Sequence, residues 1–497
     1  MSSQQTKAKK TEQPETSITI KVSQEKLPVG VMPPDFPEDY VVGAVTPFLL
    51  SSEFVGETPH LPMIDLALSK EKAVPVQLWG MLYKNWVPNP EEEGRSVFMQ
   101  GYENRGPDNR RKRIYMSATT PDLIDQKYRP KIQLFYKRFL SDSNAGKPMM
   151  KHYFENYYDL YWNLHVGAMG DEIPDEVRQF SEGFNATLGF WYPTTEMVCK
   201  ALMQARATRE VLKAWLDKRV QKIMDGKQPD EDSTFVHYWL KNGQLGENFR
   251  RIDIVFECFH NFLAFSQWAN MVYNVAAKLE PVHGDPAVRV RFDQVMKDPD
   301  ASDGGAFTPL DRLVMELFRV ISPNGGSFST MARNRAMLGT AFSGIMTPHL
   351  PASMSPLHWQ NPTEFDPDRF KSAPTTVDND EAKAHQVGLA RCPFSKASFP
   401  VKDGRKVTMT NSAFGAVYSE INGKAVPLVD TAGYAPFGFG YRRCAGEQLT
   451  VEFIKEFLRH VWKEKVSFSK LDIPVASKQP VNPGTVLNDD IAFNKAK

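Results

Sequence analysis

The apolar positions of this chain recur with a helical period over long stretches and with an alternating period over a few short ones. From residue 122 onward, four segments carry apolar residues at helical spacing with few breakers. They are "DLIDQKYRPKIQLFYKRFL" (122–140), "TREVLKAWLDKRVQKIMDG" (208–226), "RIDIVFECFHNFLAFSQWANMVYNVAAKLE" (251–280) and "PLDRLVMELFRVI" (309–321). The third is apolar nearly all round, the pattern of a helix running through the middle of a protein. A fifth, "EQLTVEFIKEFLRHVWKE" (447–464), places Leu449, Phe453, Ile454, Phe457, Leu458 and Val461 on one stripe. Strand signals lie elsewhere, in "AVPVQLWGML" (73–82), "RKVTMT" (405–410) and "AVYSEINGKAVPLVD" (416–430), the last with a hairpin turn at Asn422-Gly423. The pattern predicts a mainly α fold with small β-sheets at its side.

Composition narrows the partners. The 497 residues suffice for one large domain or several average ones, and 60 basic against 59 acidic side chains leave no field to attract nucleic acid or an acidic membrane. A small-molecule partner is expected. Residues 1–30, opening "MSSQQTKAKKTEQPETS", are polar and read as a disordered tail ahead of one domain over 31–497. The stretch Tyr40 to Leu50 is too short to span a bilayer and contains a proline, so no transmembrane segment is expected. Cys199, Cys258, Cys392 and Cys444 lie far apart with no secretory leader upstream, which predicts reduced thiols in a soluble, cytoplasmic protein. No internal repeat is present.

The chemistry concentrates in "PFGFGYRRCAGEQ" (436–448). A thiolate is the metal-binding form of cysteine, and it is favoured by nearby positive charge and by a helix N-terminus. Arg442 and Arg443 precede Cys444, and the predicted helix from Glu447 follows it. Gly438, Gly440 and Gly446 let the backbone bend tightly and approach a flat group beside which Phe437 packs. Haem iron is a flat-ligand centre that takes a single thiolate. A buried free cysteine in a glycine-rich loop is the plainer alternative.

Spacing decides between them. Phe437, Gly440, Arg442, Cys444 and Gly446 fit F-x-x-G-x-R-x-C-x-G, and the chain thereby resembles the cytochrome P-450 superfamily of haem-thiolate proteins. Two further features stand upstream in the family's order: Glu316 and Arg319 as E-x-x-R on a predicted helix, and Arg369 in "FDPDRF". The resemblance runs from about Leu61 to the C-terminus. It implies the cytochrome P-450 fold, haem b with Cys444 as iron ligand, and Arg442 beside a propionate. Arg333 and Arg335 in "ARNR" are candidates for a second propionate, and Phe437, Gly440 and Gly446 for the haem-binding loop. Glu316, Arg319 and Arg369 would form a buried charge network.

Departures from the family pattern shape the expected reaction. Oxygen-activating members carry an acid followed by an alcohol on the long distal helix, because splitting bound oxygen requires delivered protons. Here the corresponding stretch reads "NFLAFS" (261–266), with Ala264 and Phe265 at those places. A shift by one turn brings in Glu257 and Cys258, which are not such a pair either. The loss predicts chemistry from peroxide or a lipid hydroperoxide on an apolar substrate, as in the family's peroxide-driven hydroxylases and its allene oxide synthase and hydroperoxide lyase branch; the latter branch carries an asparagine on this helix over the haem, a role for which Asn261 and His260 are the candidates. The alternatives are a conventional monooxygenase fed by a redox partner, and a non-enzymatic haem sensor or carrier with His260 capping the iron. A second departure is the 67-position interval from Phe370 to Phe437, which predicts an added β-hairpin region over about 385–432.

Overall fold

The helical segments predicted from apolar spacing form, and they pack around one continuous aromatic-rich core. The computed structural model describes residues 114–179, 195–243, 250–265, 267–304, 307–321, 326–330, 344–348, 353–354, 359, 361–371, 398–400, 406–408, 418–421, 424–427, 436–437, 444–473 and 489–495. The expected tail (1–30), the strand at 73–82, Arg333, Arg335, Gly440 and Arg442 lie outside the described residues, as do the side chains of His260, Ala264 and Phe265.

The helices, in chain order, are α1 (Arg129–Phe139), α2 (Met149–Val166), α3 (Thr195–Met224), α4 (Phe235–Asn242), α5 (Arg251–Phe265), α6 (Gln267–Leu279), α7 (Pro286–Val295), α8 (Pro309–Ile321) and α9 (Glu447–Lys463). A π-helical turn, Ile124–Tyr128, leads into α1, where Arg129 N–H bonds the Ile124 carbonyl. Pro130 has no N–H to give and its ring crowds the carbonyl four residues back, so the wider turn ahead of it relieves both problems. Within the apolar stretch 251–280 the described residues are helical over Arg251–Phe265 and Gln267–Leu279, labelled α5 and α6.

The stripe expected on α9 is the face that is buried: Leu449, Phe453, Ile454, Phe457, Leu458 and Val461 all lie in the core. That face meets α1 through Tyr136, whose hydroxyl donates to the Phe453 carbonyl at 2.9 Å, and α6 through Trp268, stacked on Phe453 at 4.1 Å. The helix α2 ends at Gly167, whose φ of +67° is left-handed and which donates to the Asn163 carbonyl at 3.2 Å. Its side-chain space is closed by Gln228, so a larger residue there would be both strained and crowded.

The described strands form four two-stranded antiparallel pairs. They are β1 (Gly326–Thr330) with β2 (Gly344–Pro348), β3 (Ser398–Pro400) with β4 (Lys406–Thr408), β5 (Tyr418–Ile421) with β6 (Lys424–Pro427), and β7 (Val466–Lys470) with β8 (Ile491–Lys495). The register pairs Ile421 with Lys424, so two residues, Asn422 and Gly423, separate β5 from β6, the connection length expected from that dipeptide. Strand β8 ties the C-terminal end of the chain to α2: Ala492 bridges to Pro148, and the Asp489 carboxylate accepts from Met150 N and Lys151 N, both at 2.8 Å. No helix among the described residues is long and apolar enough to cross a membrane.

Candidate functional site

Cys444 stands two residues before Gly446, the residue that caps the N-terminus of α9. The Gly446 N–H donates to Cys444 Sγ at 3.3 Å, and Cys444's own N–H bonds the Phe437 carbonyl at 2.8 Å, which ties these two residues together. Cys444 is a partly exposed residue, whereas Cys258 is fully buried. Three elements fix this loop from outside. The Phe437 ring packs on Phe318 of α8 at 4.9 Å between centroids. The Thr119 hydroxyl donates to the Ala445 carbonyl at 3.3 Å. Trp268 Nε1 of α6 donates at 2.9 Å to Thr450 Oγ1, which itself donates to the Gly446 carbonyl at 2.9 Å.

Glu316, Arg319 and Arg369 come together beneath α8. Arg319 reaches Glu316 through Nε at 2.8 Å and Nη2 at 2.7 Å, with neither side chain exposed. Its remaining N–H groups go to backbone carbonyls of Ser353 at 3.2 Å, Pro362 at 2.7 Å and Glu364 at 2.9 Å. The guanidinium has five donors, and all five are used. Glu316 Oε1 also accepts from Asp366 N at 2.9 Å and from Arg369 Nε at 3.1 Å. The two guanidinium groups lie 5.4 and 5.6 Å from the Trp359 ring, within cation–π range. Trp359 and the carbonyl acceptors were not legible from the motif. Their contact with Arg319 is made across the chain.

A second polar cluster surrounds Asn261 on α5. The Asn261 amide lies 3.2 Å, Nδ2 to Nε2, from His165 near the end of α2, and His165 Nδ1 lies 2.8 Å from the Tyr161 carbonyl one turn earlier. Tyr161 hydrogen-bonds in turn to the Cys258 carbonyl. Burial pushes the His165 imidazole down to about 3, an effect that the Tyr161 carbonyl partly offsets and the charge of Lys131 reinforces. Burial likewise raises the Tyr115 phenol well above its usual range, with negative charge at Glu257 and Cys444 adding to it and a hydrogen bond from Asn261 opposing it. Tyr115 therefore feels both α5 and the cysteine loop. Glu257 and Asn261, one turn apart on α5, are both completely buried. Neither Tyr115 nor His165 was singled out from the sequence; a tyrosine before "MSATT" and one histidine in an aromatic helix carry no motif.

Elsewhere, a cleft of about 780 Å³ opens between the C-terminal halves of α1 and α9, lined by Gln133, Tyr136, Glu456, Arg459 and His460 among others. It lies along α9 away from Cys444 and gathers charges of both signs, so it is not assigned to the chemistry.

No protein-family model matches the chain, and no curated protein matches it in sequence. Solved structures do match. A cytochrome P450DA heme-domain mutant superposes with a TM-score of 0.54 at 14% identity, over 88% of this chain and 86% of that one. A cytochrome P450SP alpha mutant gives 0.51 at 14% identity over 81% and 82%, and a cytochrome P450 OleT variant in complex with arachidonic acid gives 0.50 at 14% over 79% of each chain. The chain has the cytochrome P450 fold.

Proposed function

We propose that this chain is a haem-thiolate oxidoreductase of the cytochrome P450 kind, holding haem b through Cys444 and acting on an apolar small molecule with peroxide or a lipid hydroperoxide as oxidant. The observation that carries the reading is the setting of Cys444: a partly exposed cysteine ahead of a 17-residue helix, with a backbone N–H aimed at its sulfur. That donor set suits a single-thiolate iron ligand, since both features favour the charged sulfur. The residues present thus fit the group.

In this reading Phe437, Gly440 and Gly446 would flank the haem, Arg442 would hold one propionate, and Arg333 or Arg335 would hold the other. Glu316, Arg319 and Arg369 brace the chain segments beneath the cysteine loop. When bound, the haem supplies an iron centre for O–O bond cleavage and substrate oxidation. Asn261 supplies a buried polar group on α5, and a substrate already at the peroxide level needs no acid–alcohol relay of the sort that "NFLAFS" lacks. The arachidonic acid bound by the OleT variant is a precedent, in that protein, for a long apolar acid in this fold. The two hairpins within 385–432 are proposed as an addition on the thiolate side that restricts access of an electron donor.

One observation favours the conventional monooxygenase as a second reading. Glu257 is a fully buried carboxylate one turn from Asn261, close enough to Tyr115 to raise its phenol. It would be the acid that the sequence motif lacks. Purified haem-loaded protein, supplied in parallel with fatty-acid hydroperoxides, with hydrogen peroxide and fatty acids, and with a reductase, NADPH and dioxygen, separates the two. Product from the first or second mixture alone supports the leading reading; product only from the third replaces it.

A further inference from the structure

The contacts of His165 with Tyr161 and Asn261 fix which nitrogen of the imidazole carries its proton. A neutral imidazole carries one N–H. The Tyr161 carbonyl opposite His165 Nδ1 can only accept, so that proton resides on Nδ1 and Nε2 is left as an acceptor. The Asn261 atom facing Nε2 must then be the donor, its amide nitrogen. The two ends of the amide are thereby told apart by their partners. Asn261 Nδ2 is spoken for by His165, with Tyr115 as a further hydrogen-bonding neighbour. Asn261 Oδ1 has no partner in a side chain with no exposed surface. A buried amide oxygen without a donor is unusual, because leaving it so costs the desolvation of the group.

We infer that His165 is a positioning residue that fixes the Asn261 amide with its oxygen as the free acceptor, so that this site takes a ligand O–H, that of a hydroperoxide or an alcohol, in preference to a carbonyl or ether oxygen. The ligand class rests on the function proposed above; the positioning role does not. His165 itself is held on several sides. Its ring stacks on Tyr161 at 4.1 Å, meets Phe235 edge-on at 4.8 Å, and lies 6.0 Å from Trp239, so it has little freedom to turn. The neutral form on which the argument depends agrees with complete burial and with the nearby positive charge of Lys131.

Two measurements on the full-length protein test the inference. In protein labelled with ¹⁵N-histidine, with H165Q used for assignment, the nitrogen resonances of His165 should report the Nδ1–H tautomer at neutral pH. A doubly protonated ring or the Nε2–H tautomer would overturn the positioning role. The second measurement compares, by titration calorimetry of haem-loaded protein, a long-chain hydroxy fatty acid with its keto analogue. Wild type should prefer the alcohol by roughly tenfold, the worth of about one hydrogen bond to a buried acceptor. H165L, which frees the amide to turn, should abolish the preference, and H165Q, whose side-chain oxygen can take over as acceptor, should restore most of it. An unchanged preference in H165L overturns the inference. If neither fatty acid binds while the Nδ1–H tautomer is found, the ligand class fails and the positioning role stands.

Discussion

Arg319 and Glu316 meet through two side-by-side N–H···O contacts at 2.8 and 2.7 Å in a place that solvent does not reach. Two opposite charges of this kind gain little over an apolar pair, but removing one partner strands the other, at a cost of about 3–5 kcal/mol. E316Q and R319A should therefore yield little folded, haem-loaded protein, read as the ratio of haem to protein absorbance after purification. R369A should be milder, because Arg369 is less buried and touches only one Glu316 oxygen, at 3.1 Å. Normal loading by both E316Q and R319A would leave the pair without a role in haem retention.

Cys444 and Cys258 offer a direct contrast. C444A should abolish the thiolate signature of the reduced carbon monoxide complex, because the sulfur that receives the Gly446 N–H is gone. C258A should keep the signature. Cys258 is fully buried on α5 and its thiol is pushed up by burial first and by Glu257 second, the setting of an inert core residue. A C444A protein with an unchanged spectrum would remove Cys444 from the iron.

The parts of this arrangement that were readable in the sequence are those encoded locally. The α9 stripe follows from periodicity alone, and every position expected inside is inside. The Glu316–Arg319 contact follows from a three-residue spacing on one helix. The Asn-Gly pair marks the β5–β6 connection. What escaped is encoded in contacts between distant segments. His165 and Asn261 are 96 positions apart, and neither residue's neighbours in sequence announce the other. Arg319 takes backbone carbonyls from 34, 43 and 45 residues away, and a carbonyl carries no side-chain signature at all. Trp359, the ring that both guanidinium groups approach, is visible only once Arg319 and Arg369 are both placed.

The proposed preference for peroxide over dioxygen rests on what stands on α5. Delivery of protons by a positioned acid is typically worth about 10²–10⁴-fold in rate, and "NFLAFS" offers no acid–alcohol pair. With a competent reductase and dioxygen the protein should turn over slowly and consume NADPH in excess of product, while a fatty-acid hydroperoxide should be consumed faster. N261A should lower hydroperoxide turnover by roughly tenfold with haem content unchanged, through loss of the acceptor oxygen. E257Q is the counter-test. If it leaves hydroperoxide consumption alone yet halts the residual reductase-driven activity, Glu257 carries protons in that slower reaction only.

His165 should also make the fold sensitive to acid. Its imidazole has a value of about 3 in the folded protein, against an ordinary value of 6.5, because burial opposes its charge. The unfolded chain therefore binds a proton that the native state refuses throughout the interval from about pH 6.5 to about pH 3. By linkage the stability associated with neutral His165 is fully present above pH 6.5 and declines as pH falls through that interval, by about 1.4 kcal/mol for each pH unit well inside it. The Asp489 carboxyl works in the opposite sense. Raised to about 6 by burial, it favours the folded state as pH falls from 6 toward 4, so it masks part of the His165 effect in the wild-type profile. The comparison must then be made between variants. Melting temperature against pH for wild type and H165Q, in the same buffers, should show the variant less stable near neutrality yet losing stability less steeply below pH 6. The difference in slope should correspond to about one proton. Parallel profiles would mean that His165 takes up its proton without unfolding, and the buried neutral imidazole on which the orientation of Asn261 depends would have to be abandoned.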